Sequence, residues 1–276
     1  MTAAPHPPAH AGYADAFVDA ILADMQAHAS RCYAIAGLQG TGKSTLSAQM
    51  VARAAQRGRR LVALSIDDFY LGHEARQALA RQVHPLCATR GVPGTHDVAL
   101  ACETLDALRA QRPVALPRFD KIADDRLPRA QWPLVEGADG VILEGWFLEV
   151  PPQAPDDLVE PMNALERDED PDGTWRRWSN AALGRDYPPL WTRLDRLLFL
   201  QGPGFDIVPQ WRWQQEQTLQ AQHPDRQAMS QAQVQRFVQF FERVSRQAMR
   251  TWPAIADRTI ALDAQRHPLG EMTWAR

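Results

Sequence analysis

Arg31-Cys-Tyr-Ala-Ile-Ala36, followed by Gly37-Leu-Gln-Gly-Thr-Gly-Lys43-Ser44-Thr45, decides how the chain is read. The first stretch is an apolar strand candidate. The second fits Gly-x-x-x-x-Gly-Lys-[Ser/Thr], the phosphate-binding loop. Beyond it, Leu46, Met50 and Val51 recur at helical spacing until Gly58 offers a stop. Strand, Gly-rich turn and helix are the context this motif needs. A chain of this length matches the pattern by chance on the order of once in a hundred, and the flanking elements lower that further. Gly37, Gly40 and Gly42 can take positive φ and let the backbone close around an anion. The amides of the loop, Thr41 among them, and the first helical N–H groups then point at the phosphates. Lys43 is expected to reach the β and γ phosphates, Ser44 to ligate magnesium and Thr45 to touch the α phosphate.

The composition narrows what surrounds that loop. The chain has 276 residues, 45% of them hydrophobic, and a formal charge of −3. That permits one large α/β domain or a domain with a smaller lobe, and gives no electrostatic footprint for nucleic acid or an anionic membrane. Cys32, Cys87 and Cys102 show no metal spacing and are expected to be reduced thiols of a cytoplasmic protein. No basic start with an apolar core announces a signal peptide, and no apolar run is long enough to span a bilayer. No obligate protein partner is evident. Of 30 basic residues only Lys43 and Lys121 are lysine, so both fall inside stretches that look functional. A compact ammonium is not interchangeable with a planar guanidinium.

Outward from the loop, residues 1–12 are rich in Pro, Ala and His and read as a flexible arm. Tyr13, Phe17, Ile21 and Met25 mark a packing helix. Leu61-Val-Ala-Leu-Ser-Ile66 is a buried strand ending in Asp67-Asp68-Phe69-Tyr70. Carboxylates at the carboxyl end of such a strand face the ligand crevice. Asp67 is assigned to catalysis, within reach of the metal, and Asp68 to a supporting role. The alternative is that one of the two caps the following turn. Arg90-Gly-Val-Pro-Gly-Thr95-His96-Asp97 is a shaped loop whose Asp97 caps a helix over 98–110. A lone loop histidine such as His96 is more often solvated than ligating.

A short strand over 114–116 runs into Pro117-Arg118-Phe119-Asp120-Lys121 and Asp124-Asp125-Arg126. So dense a mixture of charges is often only a solvated loop. Its place after a strand end, and the lysine in it, favour substrate contact. Gly140-Val-Ile-Leu-Glu144 is an apolar strand ending in the acid that would hold magnesium beside the phosphate loop. Residues 150–192, rich in Pro, Asp and Trp, read as an insertion or lid-like lobe. Arg196–Leu200 resumes the sheet, and Trp211-Arg212-Trp213 opens a polar helix from which Arg212 is expected to reach the transferring phosphate. Ser230 caps an amphipathic helix through Val234, Phe237, Val238 and Phe241. Residues 258–262 form the last strand, and 263–268 a loop that would border the adenine. The fold expected is α/β: a parallel sheet of the P-loop NTPase type flanked by helices.

Ser65-Ile-Asp67-Asp68-Phe69-Tyr70, Gly94-Thr95-His96-Asp97, Phe119-Asp120-Lys121, Glu144-Gly145-Trp146 and Trp211-Arg212-Trp213-Gln214 resemble, in order, the D-glycerate 3-kinase family of plant chloroplasts and its fungal and bacterial relatives. That family is similar to uridine kinase, pantothenate kinase and phosphoribulokinase. The resemblance implies transfer of the γ-phosphoryl of ATP to the 3-hydroxyl of D-glycerate with Mg²⁺. Asp67 matches the acid that deprotonates the acceptor, Glu144 the metal-side acid and Arg212 a lid arginine. Asp68, Tyr70, Thr95, His96, Asp97, Arg118, Asp120, Lys121 and Arg126 form the expected acceptor side, with Arg118, Lys121 or Arg126 on the carboxylate of a small hydroxy acid. The segment from Asp120 to Arg126 is shorter than in the plant enzymes, and Phe119 stands where they carry Tyr. The rival readings are a kinase for a nucleoside, pantothenate or sugar phosphate, and a non-catalytic ATP-binding module. No Asn/Thr-Lys-x-Asp segment for reading guanine is present.

Overall fold

Four segments, over 32–36, 61–64, 141–143 and 197–200, carry unbroken apolar runs, as strands do when both faces of a parallel sheet are covered; Arg258–Ala261, at the sheet edge, is polar at its start and only partly buried. The computed structural model describes residues 12–222 and 228–270. The arm expected at the start lies outside them except for Gly12. In chain order the elements are α1 (Asp15–Ala27), β1 (Cys32–Ala36), α2 (Lys43–Ala55), β2 (Leu61–Ser65), α3 (His73–Gln82), α4 (Val98–Arg109), β3 (Val114–Ala115), β4 (Phe119–Asp120), β5 (Asp125–Arg126), β6 (Leu134–Val135) and β7 (Gly140–Gly145). There follow α5 (Ala164–Glu169), α6 (Thr174–Arg185), α7 (Pro188–Trp191), β8 (Arg196–Gln201), α8 (Val208–Gln222), α9 (Gln231–Ile255) and β9 (Arg258–Ala261).

The main sheet has the order β2-β7-β1-β8-β9 and is parallel throughout. Side chains alternate across it with the period of two that strand geometry imposes. Tyr33 and Ile35 of β1 point to a core shared with Phe17, Ile21 and Met25 of α1 and Leu46 and Met50 of α2. Ala34 and Ala36 point to the other core, which Leu105 and Leu108 of α4 and Val234 and Val238 of α9 complete. Leu165, Trp175, Leu183, Tyr187 and Leu190, from the stretch after residue 150, belong to that same second core. Arg243 of α9 clamps the stretch further: its guanidinium meets Glu166 at 2.7 and 2.6 Å and donates to the carbonyls of Asp157 and Glu160.

The short strand near 114 forms but stays outside the main sheet. β3 pairs antiparallel with β6, and β4 with β5, so that the second ribbon carries the turn holding Lys121. Ser230 caps α9 with a reciprocal Gln233 contact, and Asp97 caps α4 by accepting from the Leu100 amide. α8 begins at Val208, one turn before the polar stretch at Trp211 suggests, because Phe205–Ile207 already coils into it. No helix among the described residues is long and apolar enough to cross a membrane.

Candidate active site

The carboxyl ends of β1, β2 and β7 meet at one edge of the sheet. In register, Glu144 of β7 lies between Ile35 of β1 and Ser65 of β2. The phosphate loop, the Asp67 turn and the strand-end glutamate therefore face one crevice, where the topology of such sheets places ligands. They line a single cavity of about 170 Å³.

The loop is fixed by backbone and packing. Gly40 sits at φ +86°, and a Cβ there would stand 2.6 Å from the Cβ of buried Trp211, so only glycine fits. Tyr13 Oη donates to the Thr41 carbonyl at 2.7 Å, and Arg266, stacked on Trp211, donates to the Gly40 carbonyl. Lys43 is buried, with Nζ donating to the carbonyls of Gly37 at 2.7 Å and Leu38 at 2.9 Å. Burial pulls its pKa down, against the raising fields of Glu144 and Asp67. Those carbonyls hold the ammonium at the mouth of the loop.

Ser44 Oγ donates to Glu144 Oε1 at 2.8 Å. Two hard oxygen donors side by side fit an Mg²⁺ ion, which takes few protein ligands and leaves the rest of its octahedron to water and phosphate. Among the described residues no cluster of three or more His, Cys, Asp or Glu is poised for a metal.

Asp67 opens the turn after β2, where Ser65 caps Ile66–Phe69 and Asp68 reaches back to the Ser65 amide at 3.1 Å. This turn separates the adjacent acids. Asp67 enters the cavity, while Asp68 serves the cap and meets Arg118 at 3.3 Å. Both oxygens of Asp67 are engaged: Oδ1 accepts from Tyr70 Oη and Oδ2 from Lys121 Nζ, each at 2.7 Å. Burial would raise the Asp67 carboxyl, but the Lys121 ammonium and the two hydrogen bonds outweigh it and bring it down to about 2. Asp67 is thus an anion at neutral pH. It can orient a hydroxyl and receive its proton late, as bond formation acidifies it.

The remaining expected residues divide sharply. Tyr70, Lys121 and Arg212 line the cavity with the loop and Asp67. Arg212 donates to Gln215 Oε1 at 3.3 Å and lies over the Phe237 ring. Asp97 caps α4 and pairs with Arg126, which also donates to the Tyr70 carbonyl. Thr95 is fully buried and bonds within its own loop, to Val92 and Gly91. Asp120 accepts from the amides of Ile122 and Ala123, closing the turn that presents Lys121. These residues build the loops and stand outside the cavity lining, as do Asp68 and Arg118. His96 stands behind Tyr70, ring centroids 4.6 Å apart, with Nδ1 2.7 Å from Tyr187 Oη. Burial drives its pKa down to about 3, so it is neutral.

Arg90 is a cavity residue that sequence reasoning misses. It lines the cavity, pairs with Asp124, donates to the Lys121 carbonyl at 3.1 Å and lies over Phe119. Nothing in its spacing marks it, since Asp124 is 34 residues away. Phe237 and Phe241 of α9 carry both a packing and a lining role, and only the packing role shows as periodicity.

The sheet order, the phosphate loop and the in-register strand-end acid define a protein of the P-loop NTPase fold. No family model matches the chain. Over 198 residues, 68% of this chain and 70% of the relative, it is 33% identical to the uncharacterized kinase mug58 of Schizosaccharomyces pombe. Over 137 residues, 45% of this chain and 30% of the relative, it is 37% identical to the chloroplastic D-glycerate 3-kinase of Arabidopsis thaliana. The solved structure of D-glycerate 3-kinase from Cryptococcus neoformans var. grubii matches in fold, with a TM-score of 0.77 over 93% of this chain and 97% of that one, at 24% identity. The chain belongs to a family of P-loop kinases that includes mug58 and the plant D-glycerate 3-kinase.

Proposed function

We propose that the protein transfers the γ-phosphoryl group of ATP to the 3-hydroxyl of D-glycerate. The observation that carries this reading is the shared cavity, in which the phosphate loop faces a carboxylate flanked by the cations Lys121 and Arg90. A small acceptor bearing its own negative charge suits that lining. The Arabidopsis relative's name gives the same acceptor.

The chemistry assigned to the residues follows from their positions. The amides of 37–45 and Lys43 hold the triphosphate. Ser44 and Glu144 hold Mg²⁺, which when bound neutralises phosphate charge. Asp67 orients the acceptor hydroxyl towards the γ-phosphorus and takes its proton. Lys43 and Arg212 stabilise charge on the equatorial oxygens, and phosphoryl transfer depends chiefly on such stabilisation together with positioning. Lys121 and Arg90 receive the acceptor carboxylate.

The test is ADP release with a panel containing D-glycerate, glycerol, a nucleoside, pantothenate and a sugar phosphate. D-glycerate is expected to give the highest kcat/KM, with product carrying phosphate on its 3-oxygen. Preference for another acceptor would replace the substrate, and ATP binding without turnover on any of them would favour a non-catalytic nucleotide-binding module.

A further inference from the structure

Lys121 differs from the other cations around the acceptor side. Arg118 is held by Asp68 and by the Pro117 carbonyl. Arg126 is held by Asp97 and the Tyr70 carbonyl, and buried Arg76 by the carbonyls of Leu71, Ala88 and Asp124. Arg90 is held by Asp124 and the Lys121 carbonyl. Lys121 Nζ instead spends its hydrogen bond on Asp67 itself, at 2.7 Å. Its backbone is fixed by the Asp120 turn and by Arg90, while its side chain is 58% exposed against 22% for Asp67. The turn can stay still while the flexible four-carbon stem swings. As found, each oxygen of Asp67 already accepts one hydrogen bond, Oδ2 from Lys121 and Oδ1 from Tyr70, and the ammonium offsets the charge that the base would offer a hydroxyl.

We infer that Lys121 is a latch on Asp67, opened by the negative charge of the acceptor. The inference rests on the kinase reading of the cavity. An anionic acceptor entering beside Arg90 and Lys121 competes with Asp67 for the ammonium. A ligand shifts such an equilibrium only through a differential interaction, and a carboxylate has one: it gains an ion pair when Lys121 leaves Asp67. The released oxygen then accepts the acceptor hydroxyl. The hydroxyl oxygen bonds to the γ-phosphorus, and the bond from that phosphorus to the β,γ-bridging oxygen breaks with its electron pair leaving on ADP. The proton passes to Asp67 and then to water. Without an acceptor, the latch denies Asp67 to a water molecule that would otherwise be phosphorylated in the same way. Lys121 is therefore a positioning residue that couples acceptor charge to the availability of the base.

The test compares wild type, Lys121→Met and the double variant Asp67→Asn/Lys121→Met, measuring ADP release with no acceptor, with D-glycerate and with glycerol. Binding of a fluorescent ATP analogue checks that the loop is intact. Lys121→Met is expected to raise acceptor-free hydrolysis at least about tenfold and to lower kcat/KM for D-glycerate by about a hundredfold, while glycerol, which carries no charge to open the latch, rises along with hydrolysis. The double variant is expected to return hydrolysis to the wild-type level, because the gain runs through Asp67. Acceptor-free hydrolysis that stays at or below the wild-type level in Lys121→Met would overturn the latch, as would a gain that survives in the double variant. Failure of wild type to use D-glycerate overturns the substrate reading alone, since the acceptor-free comparison does not depend on it.

Discussion

The two halves of the cavity are built differently. On the phosphate side, Lys43 and Ser44 come from one run of nine residues, and Glu144 joins them through strand register. Their geometry is set by backbone carbonyls, by Trp211 packed on Gly40, and by the sheet. On the acceptor side, Asp67, Tyr70, Arg90, Lys121 and Asp124 arrive from three separate loops and are held mainly by one another's charges. A site fixed by backbone keeps its shape as ligands come and go. One fixed by ion pairs between partly exposed side chains re-sorts when a new charge enters. In the proposed function ATP, common to many kinases, would meet the first kind of site, and the acceptor that distinguishes them would meet the second.

The most direct way to break this division is to remove one key group from each half. Asp67→Asn is expected to lower kcat by about 10³-fold, or about 4 kcal/mol, while ATP-analogue affinity stays within about threefold, because the amide keeps the shape and loses the base. Lys43→Met is expected to lower both kcat and nucleotide affinity, each by tenfold or more, because its ammonium binds the ground state as well as the transition state. Steady-state kinetics with calorimetric titration of a non-hydrolysable analogue reads both. Equal loss of ATP affinity in the two variants would erase the distinction.

How much of each half is legible in the sequence follows from the same difference. The phosphate side can be read at once because its groups are neighbours in sequence and its acid ends an apolar strand. The five sheet strands, the caps at Asp97 and Ser230 and the α9 stripe are readable for the same reason: each is a local pattern. The acceptor side is readable only as a set of polar residues. Thr95, Asp97, Asp120 and Asp68 look like ligand groups and are instead the hydrogen bonds that shape the loops. Arg90, which reaches the cavity, carries no local signal. Which charge pairs with which is decided by tertiary approach of segments tens of residues apart, and no spacing rule encodes it.

A second comparison strains the backbone of each half in turn. Gly40 and Gly94 have φ of +86° and +96°, and a Cβ would meet Trp211 at 2.6 Å in the first and Trp178 at 2.4 Å in the second. Gly40→Ala and Gly94→Ala are each expected to cost about 2–3 kcal/mol of stability, from left-handed strain together with overpacking. Their kinetic signatures should then part. Gly40→Ala should weaken ATP-analogue binding, and Gly94→Ala, whose amide donates to Tyr187 behind His96, should chiefly raise the acceptor KM. Denaturant unfolding with kinetics on the folded variants checks both. A Gly94→Ala enzyme that loses ATP binding first would mean that the two halves are mechanically one.

The smallest effect concerns acid. His96 is buried against Tyr70, and burial lowers its pKa from an ordinary 6.5 to about 3. A base whose folded pKa is depressed takes up its proton in the unfolded chain first, so its contribution is fully present above pH 6.5 and is lost as pH falls through the interval towards 3. By pH 5.5 the loss amounts to about 1.4 kcal/mol for one such group. His96→Asn, which keeps an acceptor towards the Tyr187 hydroxyl, is expected to start less stable at pH 8 and to fall less steeply between pH 7 and 5.5. Urea midpoints across that range measure the difference in slope, and parallel curves would remove His96 as the cause.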